Sequence, residues 1–389
     1  MKIHVFIAHM GLGGAERVCV NLANEWARNG HEVHIVVLNL DNDINTQYLT
    51  DDVRVHTLGV SRLRYAMLPM YKYVRRNEPE FMLVFGNEMA IIMQKLKSMH
   101  LIDTPMYVRV LNNVNISLSK EDGISPAVEK YLKNAQKELK KMDGIVAQCE
   151  AMGRQLTDRG LVNADRLHVI YNPVSKELCE KVRALRVAAG SGERKEIVFI
   201  GRIDPQKNPL DLLEAFAKIS GKYTDGRMEN GNPDIMESAG SKVTEDAVLR
   251  FVGDGVLTDA VRDRAAKLGI ADKVIFDGIR TDMENVYASA SVIALSSDYE
   301  GMPNCLIEAI GCGIPVVSYD CPMGPAEIVV DGVNGYLIPV GDKDALADGL
   351  IKTLDRTWNA EEIIATCDKF DVKNLAEKYE ELFGGRTEA

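Results

Sequence analysis

The sequence lacks several features that would assign the protein to a broad class at once. No apolar run reaches the about 18 residues that a membrane-spanning helix needs. No Cys-x-x-Cys pair and no cysteine–histidine group stands at zinc spacing, so the seven scattered cysteines are interpreted as structural. The net charge is −11, which argues against general nucleic-acid binding.

The beginning of the chain also lacks a leader-like segment. The apolar run at residues 3–8 is too short for the core of a signal peptide, and it alternates as a strand does. We therefore expect a cytoplasmic protein. Of the 389 residues, 46% are hydrophobic and 26% are charged, which is typical of a soluble protein with more than one domain. The acidic excess lies after residue 172, and this asymmetry favours two domains with separate roles.

Short apolar runs alternate with helix-like segments in both halves of the chain. In the first half the predicted strands lie at 3–9, 31–38, 81–86, 106–111, 144–149 and 167–171. In the second half they lie at 196–201, 248–253, 273–278, 291–297 and 315–320. This alternation predicts an α/β protein with two mostly parallel sheets that are covered by helices.

The boundary between the two domains is predicted at Asn172–Pro173, because the residue before a proline disfavours helix. We predict domains at 1–172 and 173–368, followed by a closing segment, 369–389, that contains an amphipathic helix. The polar, glycine-rich residues 221–246 are interpreted as a mobile surface loop.

Two turns that follow predicted strands carry residues suited to an anionic ligand. The stretch HMGLGGAER at 9–17 is a glycine-rich turn before a helix, and such a turn lets backbone N–H groups approach a phosphate. The stretch FIGRIDPQKNP at 199–209 places Arg202 and Lys207 beside a helix start, with Asn208 as the expected cap. Two cations beside a helix N-terminus would suit a diphosphate.

A third stretch, YEGMPNCLIEAIGCG at 299–313, carries two carboxylates in apolar surroundings. Asn304 is predicted to cap a helix, with Glu300 in the preceding loop and Glu308 in the first turns. An ionised carboxylate among apolar neighbours is costly unless it is paired or hydrogen-bonded. Ribose hydroxyls would be suitable donors, and a carboxylate that merely faces the helix dipole is the alternative.

The segment EGMPNCLIEA resembles the E-x7-E motif of glycosyltransferase family 4, which comprises retaining enzymes of GT-B fold. Further segments of the chain resemble motifs of the same family in the same order: GGAER, YNPV, FIGRIDPQKNP, FVGDG, FDGIRTDM, GIPVVSYDCPMGPAEIV and DGVNGYLI. The resemblance implies two Rossmann-like, doubly wound domains that face a cleft. The first would bind the acceptor, the second would bind a nucleotide-sugar, and the closing helix would return to the first.

The resemblance also implies roles for individual residues. Arg202 and Lys207 would hold the donor diphosphate, Glu308 would accept hydrogen bonds from ribose, and Glu300 would contact the donor sugar. The set expected to act in catalysis is Glu300, Arg202 and Lys207. The other expected donor contacts are Gly13, Gly14, Ile279, Asn304, Cys305 and Leu306.

One position departs from the family pattern. Many members carry a histidine near residue 110, where this chain reads RVLNNVN. A histidine base is therefore not expected there, and the departing phosphate could itself take the acceptor proton. The candidate residues on the acceptor side are His9, Arg109, Asn112 and Asn113.

The expected protein is a retaining, metal-independent hexosyl- or N-acetylhexosaminyltransferase without a cofactor. Its donor would be a nucleotide-sugar, UDP-linked, and its acceptor a glycan or lipid-linked glycan in cell-surface polysaccharide or glycoconjugate synthesis. Three alternatives stay open. Asp41-Asn42-Asp43 could hold a metal in a single-sheet GT-A enzyme, the chain could be a UDP-sugar 2-epimerase, or it could bind nucleotide-sugars without catalysis.

Two basic segments of the first domain raise the question of a membrane. Residues 61–76 mix arginine and lysine with methionine, leucine and tyrosine, and residues 130–141 are rich in lysine. Such compositions are typical of helices that lie at an anionic membrane surface. We expect a peripheral contact at the inner face of the membrane, and a solvated helix face is the alternative.

Overall fold

The protein consists of two α/β units, each built on one parallel sheet. The computed structural model describes residues 1–41, 43–111, 137–189, 195–220 and 246–384. Unit 1 comprises Met1–Val174 and Phe370–Ala389, and unit 2 comprises Ser175–Lys369. The predicted surface loop at 221–246, apart from its last residue, and the first part of the basic segment 130–141 lie outside the described residues.

The sheet of unit 1 has seven parallel strands in the order β3-β2-β1-β4-β5-β6-β7. Its strands are β1 (Lys2–Phe6), β2 (Glu32–Val37), β3 (Val53–Thr57), β4 (Phe81–Phe85), β5 (Met106–Arg109), β6 (Gly144–Ala147) and β7 (Leu167–Val169). Its helices are α1 (Gly14–Arg28), α2 (Met67–Asn77), α3 (Asn87–Ser98), α4 (Glu150–Asp158) and, at the end of the chain, α13 (Val372–Gly384). The central strands are buried on both faces, which explains their continuous apolar runs.

The closing helix α13 packs against α1 within unit 1. The indole N–H of Trp26 donates to the carbonyl of Ala376 at 3.3 Å, and the ring of Trp26 meets Tyr379 edge to face. Phe383 stacks on Phe81 of β4 with ring centres 5.2 Å apart. These buried aromatic contacts fix the end of the chain to the sheet that the first residues begin.

The sheet of unit 2 has six parallel strands in the order β10-β9-β8-β11-β12-β13. Its strands are β8 (Glu196–Ile200), β9 (Val248–Val252), β10 (Val274–Gly278), β11 (Val292–Leu295), β12 (Val316–Tyr319) and β13 (Gly335–Ile338). Its helices are α5 (Lys176–Ala189), α6 (Pro209–Ile219), α7 (Thr258–Lys267), α8 (Met283–Ser289), α9 (Asn304–Gly311), α10 (Pro325–Ile328), α11 (Lys343–Asp355) and α12 (Ala360–Ala365). Phe199, Phe216 and Phe251 lie fully buried in its core.

Every strand that the sequence predicts overlaps an observed strand, and two observed strands, β3 and β13, are not predicted. Both lie at the edges of their sheets. Only the first residue of β3 is buried, and the two central residues of β13 are partly exposed. None of the described helices is long and apolar enough to cross a membrane.

Candidate functional site

The strand order of unit 2 reverses between β8 and β11, since β9 and β10 lie on one side of β8 and the later strands beyond β11. In open parallel sheets, ligands bind outside the carboxyl ends of the strands at such a switch point. The loop after β8 carries Arg202 and Lys207, and the loop after β11 carries Glu300. The fold therefore brings the three residues expected to act in catalysis to one edge of one sheet.

Lys207 and Glu300 form a buried ion pair at this edge. The Lys207 Nζ lies 2.5 Å from Glu300 Oε1, and the two side chains are only 14% and 7% exposed. The hydroxyl of Ser297 donates to the same oxygen at 2.6 Å. Burial alone lowers the pKa of Lys207, but the charge and hydrogen bond of Glu300 outweigh burial and raise this pKa above its usual value. The ammonium therefore stays charged although it is buried.

The backbone before Lys207 is shaped by a short turn and by two glycines. Asp204 accepts a hydrogen bond from the Lys207 N–H at 3.2 Å and so caps the turn Pro205–Lys207. A Cβ on Gly253 would lie 2.0 Å from the carbonyl oxygen of Gly201, so only glycine lets these two strand ends approach so closely. The position of the Lys207 side chain is therefore set by the local backbone as well as by its ion pair.

The residue after this turn, Asn208, stands at the N-cap of α6 as expected, and Pro209 is the first helical residue. Asn208 has a left-handed backbone, and its side chain makes no cap hydrogen bond to the helix N–H groups. Its amide instead donates to the carboxylates of Asp211 and Asp298. The expected capping interaction is therefore replaced by a bridge between α6 and the loop after β11.

Arg202 lies beside this pair and reaches solvent, with 70% of its side chain exposed. Its guanidinium contacts Asp204 at 3.0 Å and donates to Gln206 at 2.9 Å. Gln206 in turn donates to the carbonyl of Tyr299 at 3.0 Å. Arg202 is therefore held against the loop that carries Glu300 while its charge stays open to an anion.

The helix α9 begins at Asn304, directly after the Gly-Met-Pro corner. Pro303 occupies the cap position and Asn304 is the first helical residue, so the prediction that Asn304 caps the helix is wrong. The Leu306 N–H donates to the Pro303 carbonyl at 3.2 Å. Leu306 is one of the residues expected to contact the donor, and its backbone N–H is therefore engaged within the helix. Burial raises the pKa of the Cys305 thiol to about 12, so this thiol stays protonated.

Glu308 lies one turn into α9 and is half-buried. Its Oε2 accepts a hydrogen bond of 2.6 Å from the hydroxyl of Tyr287, which is fully buried in α8. The sequence analysis named ribose hydroxyls as suitable donors to this carboxylate, and the structure shows that a protein group, Tyr287, supplies one hydrogen bond. Tyr287 was not found from the sequence, because nothing in the short helix MENVYAS marks this tyrosine as a partner of Glu308.

Ile279 lies in the loop that joins β10 to α8 and is 62% exposed. The next residue, Arg280, donates to the carboxylates of Asp277 and Asp282 on either side of it. The two contacts of Arg280 therefore stabilise the loop on both sides of this residue. The apolar side chain of Ile279 points to solvent.

Unit 1 has its own switch point, between β1 and β4. The glycine-rich turn after β1 lies there, with Gly13 and Gly14 exposed at the start of α1. His9 Nδ1 lies 3.1 Å from Glu16 Oε1 and 3.3 Å from the Gly11 amide nitrogen. Burial raises the pKa of Glu16. Glu16 is not among the residues predicted from the sequence, although it stands within the GGAER motif.

The structure places Arg109 differently from the other residues expected on the acceptor side. Arg109 is 1% exposed, and its guanidinium donates to the carbonyls of Ile170 and Tyr171, to Asn172 and to the hydroxyl of Tyr379. The expectation of an acceptor contact is corrected here, because the guanidinium is buried and bonded within unit 1. It holds α13 to the sheet instead.

Three further residues considered in the sequence lie outside the described part of the chain. They are Asn42, Asn112 and Asn113. Within the described residues, no cluster of histidine, cysteine, aspartate or glutamate side chains could hold a metal ion.

Two family models match the chain one after the other. "Glycosyltransferase Family 4" matches residues 12–178, and "Glycosyl transferases group 1" matches residues 183–369, so that together they take in most of both units. The chain belongs to the family 4 type of glycosyltransferases. Relatives along almost the whole chain are glycosyltransferases as well.

One relative is N-acetylgalactosamine-N,N'-diacetylbacillosaminyl-diphospho-undecaprenol 4-alpha-N-acetylgalactosaminyltransferase of Campylobacter jejuni. It is 24% identical over 91% of this chain and 90% of its own. Another is N-acetyl-alpha-D-glucosaminyl L-malate synthase of Bacillus anthracis, 22% identical over 98% of this chain and 97% of its own.

Among solved structures, HepE of Anabaena in complex with UDP-glucose is 20% identical. It superposes with a TM-score of 0.74 over 99% of this chain and 100% of its own. WaaG, a glycosyltransferase of lipopolysaccharide biosynthesis, gives a TM-score of 0.72. This chain has two parallel sheets, of seven and six strands, and its similarity to these solved structures confirms the predicted GT-B fold. The single-sheet arrangement of the GT-A alternative is excluded.

Proposed function

We propose that the protein is a retaining glycosyltransferase that uses a UDP-linked sugar and acts on a glycan or lipid-linked glycan in the cytoplasm. The observation that carries the proposal is the buried Lys207–Glu300 pair beside Arg202, at the switch point of unit 2. The name of the Campylobacter relative, which refers to a diphospho-undecaprenol acceptor, and the UDP-glucose complex of HepE support this choice of acceptor and donor.

In this proposal the two cations of unit 2 receive the leaving diphosphate. Arg202 is 70% exposed, and its planar guanidinium can make two hydrogen bonds to phosphate oxygens, while Lys207 is a buried point charge. Both stabilise the negative charge that develops on UDP as the bond to the sugar breaks. No metal ion is needed for that step, because fixed cations supply the same charge.

The other half of the buried pair, Glu300, faces the sugar. The bond from the sugar C1 to the phosphate oxygen breaks, and the acceptor oxygen forms its bond to C1 on the same face. The acceptor proton passes to the departing phosphate oxygen, so that atoms and charges balance. Lys207 holds the Glu300 carboxylate in place through the ion pair, and the carboxylate then stabilises positive charge on the sugar.

The acceptor side is assigned to the turn after β1 in unit 1. His9 is half exposed, and its Nδ1 lies within hydrogen-bond distance of Glu16 and of the Gly11 amide, so it either accepts from the Gly11 N–H or donates its own N–H to Glu16. Gly13 and Gly14 stand exposed beside it and would line the phosphate side. His9 would hydrogen-bond an acceptor hydroxyl, in place of the histidine that the family carries near residue 110.

The test combines donor binding with transfer. Melting of the protein is measured with UDP-, GDP- and ADP-sugars in the presence of EDTA, and UDP-sugars are expected to stabilise it most. Lys207→Ala and Glu308→Ala should each reduce transfer at least tenfold, about 1.4 kcal/mol in barrier. Lys352→Ala, on the exposed face of α11, is the control and should keep normal rates.

Near-normal transfer by both folded site variants would reject the assignment of the site. Conversion of the UDP-sugar to its epimer without acceptor would identify a 2-epimerase instead. Donor binding with no transfer or hydrolysis across a broad acceptor panel would identify a binding protein.

A peripheral membrane contact is proposed for the segment that contains α2. Tyr65 and Leu68 are 57% and 58% exposed, beside exposed arginines and lysine. The exposed basic residues are Arg62, Arg64, Lys72, Arg75 and Arg76. This mixture of apolar and basic side chains suits a surface of anionic lipid. Binding to vesicles with anionic lipid should exceed binding to neutral vesicles and fall as salt rises, and equal binding to both would reject the contact.

A further inference from the structure

Two buried serines follow strand β11, and the first of them attaches it to the loop that carries Lys207. The hydroxyl of Ser296, which is 0% exposed, lies 3.1 Å from the Lys207 carbonyl oxygen and 2.8 Å from that of Asn208. Two residues further on, the Asp298 N–H donates to the carbonyl of Gln206 at 3.0 Å. The backbone on both sides of Lys207 is therefore held against the end of β11.

The second serine, Ser297, contacts a side chain instead of the backbone. Its hydroxyl donates to Glu300 Oε1 at 2.6 Å, and the Lys207 ammonium lies 2.5 Å from the same oxygen. Ser297 is also 0% exposed, and the Glu300 side chain is only 7% exposed. One carboxylate oxygen is therefore bound by a neutral donor from the end of β11 and by a cation from the loop after β8.

The two donors differ in how firmly they can fix that oxygen. The Lys207 ammonium stands at the end of a flexible four-carbon chain, whereas the Ser297 hydroxyl moves only by rotation about one side-chain bond. An ammonium also has three N–H donors, so Lys207 can contact Glu300 and a phosphate at the same time. A serine hydroxyl has one proton, and in Ser297 this proton is used on Oε1.

This difference matters when a nucleotide-sugar binds. In the proposed function Lys207 also receives the diphosphate, so its ammonium is shared between the phosphate and the carboxylate. Glu300 must keep its position at the sugar, because a misplacement of about 1 Å can cost about a hundredfold in rate. A second donor that contacts only the carboxylate would keep Glu300 in place while Lys207 also binds the phosphate.

We propose that Ser297 is a positioning residue for transfer: its hydroxyl holds Oε1 of Glu300, together with Lys207, so that the carboxylate keeps its place when the diphosphate binds. The inference rests on the proposed function, since it requires Glu300 to act on the sugar. Ser297 is fully buried and acts through Glu300 rather than on the donor itself. Its loss should therefore slow the breaking of the bond and leave nucleotide binding nearly unchanged.

The test uses Ser297→Ala, which removes one buried oxygen atom. Release of UDP from the UDP-sugar that the melting screen selects is measured with the full-length protein, and binding of UDP alone is measured by calorimetry. Ser297→Ala should lower kcat about tenfold, as expected for a lost hydrogen bond to a charged group. KM and the affinity for UDP should change by no more than about twofold. A role in packing alone would lower the melting temperature without this separation of kcat from KM.

A second measurement tests whether the serine acts through the carboxylate. In a Glu300→Gln background, Ser297→Ala should lower kcat by a further factor of less than about two. The matched control is Ser318→Ala, since Ser318 is also 0% exposed in unit 2 and its hydroxyl donates to a backbone carbonyl, that of Tyr319 at 2.9 Å. This control should keep the kcat and KM of the wild type.

Three results would overturn the inference. Folded Ser297→Ala could retain a kcat within about twofold of the wild type, or it could lose as much kcat in the Glu300→Gln background as in the wild type. If Ser318→Ala showed the same loss, the effect would be one of packing. A Glu300→Gln variant that itself keeps the kcat of the wild type would instead reject the role of Glu300 in the proposed function, on which the inference rests.

Discussion

Replacing Lys207 by methionine should destabilise unit 2 by leaving Glu300 buried without its cation. The Nζ–Oε1 distance is 2.5 Å and the carboxylate side chain is 7% exposed. Breaking such a buried pair costs about 3–5 kcal/mol. Ser297 still donates to the same oxygen and offsets about 1 kcal/mol of this. The expected loss for Lys207→Met is therefore about 2–4 kcal/mol.

The matched variant Lys207→Met/Glu300→Gln removes both charges. Replacing a buried ion pair by neutral groups of similar volume is often close to neutral for stability. The double variant should therefore recover to within about 1 kcal/mol of the wild type. It should still be inactive, since two of the three charges proposed to act on the donor are gone and only Arg202 remains. The double variant therefore distinguishes the effect of the ion pair on stability from its effect on activity.

The assay follows from the two tryptophans of the chain, one in each unit. Trp26 is buried in unit 1, and Trp358 lies in unit 2, where its indole donates to Thr353. Labelling with 5-fluorotryptophan gives two fluorine resonances, and Trp358→Phe assigns them. In urea, the Trp358 midpoint should fall by about 1–2 M in Lys207→Met, because m is about 2 kcal/mol per M. The Trp26 midpoint should stay in place.

An unchanged Trp358 midpoint in folded Lys207→Met would refute the reasoning, because the pair would then contribute nothing to the fold. A double variant that is as unstable as the single one would refute it as well. The loss would then arise from packing of the lysine side chain rather than from an unpaired carboxylate.

The remaining predictions concern unit 1. Burial and neighbouring cations depress the pKa of His4 to about 3, so the unfolded chain binds more protons below pH 6.5. Unit 1 should therefore lose about 2 kcal/mol between pH 7 and pH 5, measured on the Trp26 resonance. Gly13→Ala places a Cβ 2.2 Å from Glu16 Oε2 and should displace this carboxylate, with at least a tenfold loss of transfer. Arg109→Met removes four hydrogen bonds, three of them buried, and should lower the free energy of unfolding reported by Trp26 by about 3 kcal/mol.

Each of these has a clear contrary outcome. A Trp26 midpoint that is flat from pH 7 to pH 5 would mean that His4 titrates normally. Full transfer activity in Gly13→Ala would show that the reaction does not depend on the position of the Glu16 carboxylate. A stable Arg109→Met that loses acceptor binding alone would restore the acceptor role that burial argues against.

Most of the fold could be predicted from the sequence because the central strands are buried on both faces. The runs that become β1 and β4 are nearly all apolar, so they stand out without any knowledge of their neighbours. The strands β3 and β13 contain more exposed or partly exposed residues than these central strands and are not predicted. An edge position alone does not explain this, because β7 and β10 also lie at sheet edges and are predicted.

The charged members of the site could also be predicted, and their neutral partners could not. Arg202 and Lys207 are recognisable as cations at a strand end. Tyr287 and Ser297 acquire their roles only when the fold brings them to Glu308 and Glu300. No spacing rule marks such neutral partners in the sequence.

Arg109 was misplaced for a related reason. It stands near the position where many family members carry a histidine, and arginine is usually exposed, so an acceptor contact was expected. Two of its partners, Asn172 and Tyr379, lie 63 and 270 residues away along the chain. Only the folded unit reveals that they surround it.

The central claim is retaining transfer without a metal ion, and the configuration of the released sugar tests it most directly. A UDP-α-sugar selected by the binding screen is incubated with excess EDTA, and early donor cleavage is followed by proton NMR before the product mutarotates. We expect the α anomer in the presence of EDTA, and a rate of donor cleavage that is at least tenfold lower in Lys207→Ala. Release of the β anomer, or cleavage that stops when the metal is removed, would contradict it.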